Sequence, residues 1–66
     1  SAEDEVIALE ILKSVMENVT IWQQNIITLK MLGYSNTEIC LMMEISKSSY
    51  YRELENIRQM IVDGKF

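Results

Sequence analysis

Two helix-start signals eleven residues apart limit what this chain can fold into. They lie in residues 33–57, GYSNTEICLMMEISKSSYYRELENI. Ser35 and Glu38 form an S-x-x-E capping box, in which each side chain satisfies a backbone N–H of the other's end of the first turn. Gly33, just before it, suits a left-handed stop for a preceding helix. The spacing predicts a short helix over 36–43, a turn at Met43, Glu44 and Ile45, and a second helix capped by Ser46 and running over 47–63, with Gly64 as its stop. In that second helix Tyr50, Leu54, Ile57 and Ile61 recur at helical spacing and form one apolar seam. Lys47, Ser48, Tyr51, Arg52, Glu55, Arg58 and Gln59 take the flanks and the opposite face. A short helix, a tight turn and a longer helix with a polar outer face make a helix-turn-helix.

The upstream half also reads as helix. Residues 3–19 give one helix with acids at its positive end. On its wheel Ile7, Leu9, Ile11, Leu12, Val15, Met16 and Val19 cover roughly 200°, twice the stripe of an ordinary surface helix. Two readings fit that arc. The helix is clamped in a groove of its own domain, or it covers the core with one flank and meets a second copy or another domain with the other. Thr20 and Gln23 form a second capping box, opening a helix over 21–32 with Ile21, Trp22, Ile26 and Leu29 inward and Lys30 outward. Trp22 is expected at the edge of the core, its indole N–H seeking a partner. Proline is absent and glycine occurs only twice, so little interrupts helix. The expected fold is all-α, a small four-helix bundle containing a helix-turn-helix. Residues 1–19 form an acidic amphipathic helix and residues 20–66 the helix-turn-helix unit.

At 66 residues, 48% apolar and 24% charged, the chain is one small globular domain. No apolar run approaches the ~18 residues needed to cross a bilayer. No secretory signal is present, and one cysteine without a partner fits a reducing cytoplasm. Cys40 reads as packing, because a reactive thiolate or a metal site needs histidine, a second cysteine or basic neighbours. The chain has no histidine. No catalytic set, phosphate loop or metal spacing appears, so neither an enzyme nor a cofactor is expected. The five methionines read as adaptable core filler, with an exposed Met42 marking a partner surface instead.

The run Gly33, Ser35, Asn36, Glu38, Ile39, Cys40, Met43, Ile45, Ser46, Ser49, Tyr50, Leu54, Asn56 and Ile57 resembles the DNA-binding domain of LuxR/FixJ-type bacterial regulators. Sigma factor region four and small phage regulators share the pattern. Upstream, Thr20, Ile26, Ile27 and Leu29 fall where that family has an L-T-x-x-E-x-x-V-L-x-L segment, so the likeness covers residues 19–61. It departs at Gln23 and Asn25, where the family has glutamates, and no counterpart of the family's closing helix follows before Phe66.

The resemblance implies sequence-specific binding of double-stranded DNA by a transcription regulator. Tyr51, Arg52 and Glu55 match its base-reading positions. Arginine can bind guanine bidentately, glutamate can accept from cytosine N4, and tyrosine can touch a thymine methyl. Lys47 and Ser48 are placed for phosphates, Ser49 stands where the family's threonine reaches one, and Ser35 with Asn36 offers a helix start to another. The same outer face is compatible with a solvated surface held by pairs such as Lys47–Tyr51 or Arg52–Asn56. Net charge is −4. Residues 1–19 carry five acids and one base, whereas residues 20–66 carry five of each. A neutral helix-turn-helix neutralises few phosphates, so a single copy should bind DNA weakly. A homodimer or an attached sensor domain is therefore expected, with no small-molecule substrate. The rival reading is a helix-turn-helix-like module for protein–protein association without DNA.

Overall fold

The computed structural model describes residues 1–66 as four helices and no strand. They are α1 (Ala2–Glu17), α2 (Ile21–Met31), α3 (Asn36–Met43) and α4 (Lys47–Val62). Each begins on a hydroxyl side chain, Ser1, Thr20, Ser35 or Ser46, which accepts a backbone N–H of the first turn. The boxes at Thr20–Gln23 and Ser35–Glu38 are both reciprocal. Gln23 N donates to Thr20 Oγ1 at 3.1 Å while Thr20 N donates to Gln23 Oε1 at 3.0 Å. Glu38 N donates to Ser35 Oγ at 3.1 Å while Ser35 N donates to Glu38 Oε1 at 2.9 Å. α2 stops at Gly33, whose φ of +93° closes the turn that returns the Tyr34 N–H to the Leu29 carbonyl.

The turn between α3 and α4 costs more. Glu44 ends α3 in the left-handed region, at φ 56° and ψ 44°, and is the one non-glycine residue at positive φ. That conformation lets the Ile45 N–H reach the Cys40 carbonyl at 3.1 Å, and α4 begins two residues later.

α2, α3 and α4 pack against one another around Ile26, Ile39, Cys40, Tyr50 and Ile57. Ile27, Leu29, Met43, Ile45 and Leu54 pack half-buried against that cluster. Cys40 sits in the core as a small apolar group, as expected. Tyr50 is completely buried, so its apolar ring anchors α4 while its hydroxyl must find a partner inside.

α1 stands apart from this three-helix unit. Only Val15 among its residues is buried, and residues 1–11 are all exposed. Its last turn is held by side chains. Gln24 Nε2 donates to the Met16 carbonyl at 2.8 Å, and Asn18 Nδ2 donates to the Ser14 carbonyl at 2.8 Å, satisfying two orphan carbonyls at the helix end. The radius of gyration is 12.7 Å and the longest extent 38 Å, against about 11 Å for the radius of a compact chain this long.

Several expectations need correction. α1 ends at Glu17 rather than residue 19, because Asn18 and the Thr20 box interrupt it. α2 and α4 each end one residue early, at Met31 and Val62. α1 is not clamped along its length, since only its last turns touch the core. The α4 seam closes at Ile57, and Ile61 is exposed. Ile21 and Trp22 also face outward, Trp22 at 54% exposure, because α2 turns only its Ile26 side to the core.

Candidate functional site

The outer face of α4 is fixed by what the inner face buries. With Tyr50, Leu54 and Ile57 turned toward α2 and α3, the 100° step of the helix sends Lys47, Ser48, Tyr51, Arg52 and Glu55 outward. All five are exposed, and Ser49 is half-buried. They do not form one uniform surface.

Tyr51 belongs to a polar knot at the start of α3. Its ring meets that of Tyr50 edge to face, with centroids 5.3 Å apart at 75°. The buried Tyr50 hydroxyl donates to Asn36 Oδ1 at 2.6 Å, Lys30 Nζ donates to the same oxygen at 3.0 Å, and Asn36 Nδ2 donates to the Tyr51 hydroxyl at 3.4 Å. Asn36 thus joins the end of α2, the start of α3 and the first turns of α4. Burial pushes the Tyr50 phenol above its ordinary pKa, with the nearby Cys40 and Tyr51 adding to the shift. The Asn36 side chain is committed to this knot, so only its backbone N–H is left to serve a ligand. Ser35 differs: its N–H donates to Glu38 and its hydroxyl oxygen accepts from the Glu38 N–H, so only its hydroxyl hydrogen is left to serve a ligand. Lys30, expected only to point outward, brings a cation to the same spot. Its role could not be read from sequence, because it depends on where α3 begins in space.

Arg52 is different. It is exposed, enters no ion pair, and stands on the rim of a half-open cleft floored by Ile26, Met43 and Ile45 and walled by Trp22. Beside it Glu53 accepts from Gln23 Nε2 at 3.1 Å, which ties the start of α2 to α4. Gln23 stands where the resembled family keeps a glutamate. A glutamate here would face Glu53, and the neutral amide donates instead.

Glu55 is held by Arg58, whose Nη2 and Nε donate to its two oxygens at 2.8 and 3.1 Å. The hydrogen bond from Arg58 holds the Glu55 carboxyl below the usual carboxylate range. Each oxygen keeps a lone pair for another donor. Of the pairs that a solvated face would use, Lys47–Tyr51 and Arg52–Asn56 do not form, whereas Glu55–Arg58 does. Ser46 Oγ gathers Ser48 Oγ at 3.2 Å, Ser49 Oγ at 3.0 Å and the Ser49 N–H at 3.2 Å, so the serines of the first turn are pre-positioned around the cap.

The arrangement therefore offers two free cations, Lys47 and Arg52, a fixed aromatic hydroxyl at Tyr51, and a third cation, Lys30, at the start of α3. No three histidine, cysteine, aspartate or glutamate side chains gather into a metal site. No helix is long and apolar enough to cross a membrane. Comparison with protein families, with curated proteins and with solved structures found no match.

Proposed function

We propose that this chain is a sequence-specific domain for double-stranded DNA in a bacterial or phage transcription regulator of the cytoplasm. α4 is its recognition helix, and it works as a homodimer or beside a sensor domain. The observation that carries the reading is the state of Arg52: exposed, unpaired, and fixed on the outer side of α4 by a seam that buries Tyr50 completely. A free guanidinium on the first turns of the second helix is what bidentate recognition of guanine needs. Tyr51 and Glu55 flank it as the other base readers. Lys47, Ser48 and Ser49 take phosphates from the α4 start, and Ser35, Asn36 and Lys30 take them from the α3 start. The resemblance of residues 19–61 to LuxR/FixJ-type domains supports the same assignment.

The test is a fluorescence titration with duplex DNA, first of mixed sequence and then of sites selected from a random pool. Affinity should fall steeply as salt rises. Arg52→Ala should weaken binding to the preferred site by about 1–3 kcal/mol and relax its sequence preference. Lys47→Ala should weaken all sequences evenly and flatten the salt slope. Equal affinity of wild type and Arg52→Ala for the selected site would refute the assignment.

The exposed Leu41 and Met42 at the end of α3 favour one other reading, a module that associates with protein and not DNA. Absence of DNA binding at low salt, together with a tight protein complex, would select it.

A further inference from the structure

α1 carries more apolar surface than its own domain uses. Val15, with Leu12 and Val19 half-buried beside it, faces the core. A second stripe lies on a different flank. Ala2, Val6, Leu9, Lys13 and Met16 follow one another at spacings of four and three, the a/d pattern of a helix–helix seam, within an arc of about 80°. Val6 is 53% and Leu9 65% exposed. The accessible surface is 4863 Å², against about 4300 Å² for a compact monomer of this mass.

We propose that this stripe pairs antiparallel with the same stripe of a second copy, crossing at Leu9. Charge selects the occupant and the direction. Lys13 is the only base of α1 and sits inside the stripe, and Glu5 is at its edge. With Leu9 on the two-fold axis, Ala2 lies level with the partner's Met16, and Glu5 with the partner's Lys13, twice by symmetry. A parallel pair would set Lys13 against Lys13 and Glu5 against Glu5. Glu3, Asp4 and Glu10 lie off the seam on the wheel and stay in water. A single lysine in an otherwise apolar heptad position is a device that fixes register and partner number. The surface excess of the whole chain, about 560 Å² per copy, is of the size that the smaller class of specific interfaces buries, so the dimer is reversible.

The proposal does not depend on DNA binding and is tested without DNA, by sedimentation equilibrium of the full chain over a range of concentrations. Wild type is expected to show a reversible monomer–dimer equilibrium. Leu9→Glu should be monomeric with an unchanged far-UV circular dichroism spectrum, since Leu9 is exposed and lies outside the core cluster. Lys13→Glu should weaken the dimer by about tenfold, and the exchange Glu5→Lys with Lys13→Glu should restore it. A wild type that stays monomeric at millimolar concentration overturns the proposal. So does a Leu9→Glu variant that still dimerises, or an exchange variant no tighter than Lys13→Glu alone.

Discussion

At the scale of single residues, two positions concentrate the cost of this fold. Glu44 adopts φ 56° so that α3 can end and α4 begin within three residues. Its side chain gains nothing there, being exposed and unpaired. Glycine takes that conformation without a Cβ penalty. Glu44→Gly is therefore expected to stabilise the protein by about 0.5–1 kcal/mol, read from the midpoint of urea denaturation. Tyr50 is the opposite case, a residue whose hydroxyl is needed because its ring is buried. Tyr50→Phe should cost about 1 kcal/mol, the net worth of the bond to Asn36, with Lys30 still on the Asn36 carbonyl. The variant also carries a pH signature. Tyr50 has a folded pKa raised by burial, so its contribution is complete below the unfolded value of about 10 and is lost as pH rises through the folded pKa. Denaturation midpoints of wild type should fall in strong alkali by more than those of Tyr50→Phe.

Among the helices, the caps do what their sequences announce. Ser35→Ala should cost about 1 kcal/mol, because it removes the oxygen that receives the Glu38 N–H and leaves α3, only eight residues long, without its start. The companion change Glu38→Gln separates hydrogen bond from charge. The backbone N–H of Ser35, and then its side chain, hold the Glu38 carboxyl below its usual range. Arg58 does the same for Glu55. Depressed carboxylates stabilise the fold above their unfolded pKa of about 4.3, and that stability disappears as pH falls through the folded values. Thermal scans should show melting temperature dropping in this acid range, less steeply in Glu38→Gln, which lacks the charge-dependent gain at neutral pH and converges on wild type in acid. The starts of α2, α3 and α4 were legible because a cap is a local event, a hydroxyl and a backbone N–H three residues apart; α1 was expected from residue 3 and instead starts at Ala2 on the Ser1 cap. The outward turn of Trp22 and Ile21 was not. Periodicity says which residues share a face, and it cannot say how wide a strip of that face a neighbour covers. The Asn36 knot was hidden for a related reason, since Lys30, Asn36, Tyr50 and Tyr51 come from three helices whose mutual placement no spacing encodes. The exposure of Arg52 followed from the burial of Tyr50, two residues earlier on the same helix.

For the molecule as a whole, the division between α1 and the remaining helices sets the final expectation. Six residues are buried, and five of them belong to the cluster shared by α2, α3 and α4. Removing residues 1–11 deletes no buried side chain. It also deletes four acids, Glu3, Asp4, Glu5 and Glu10, and no base, which brings the net charge from −4 to zero. Val15 and the Gln24 bond to the Met16 carbonyl remain to hold the last turns of α1 against α2. In dilute solution the shortened chain should therefore melt within a few degrees of the full one, since about 1 kcal/mol already moves the midpoint of so small a domain by 4–8 °C. Its radius by small-angle scattering should fall below 12.7 Å. Charge and shape then pull in different directions. Loss of four negative charges should strengthen the non-specific attraction of a single copy to duplex DNA at low salt. Loss of the α1 stripe should at the same time abolish any gain in affinity with protein concentration, because two linked copies reach a paired site at high effective concentration and two separate ones do not. A shortened chain that unfolds at a much lower temperature would show instead that α1 is a structural part of the core, whatever its exposure.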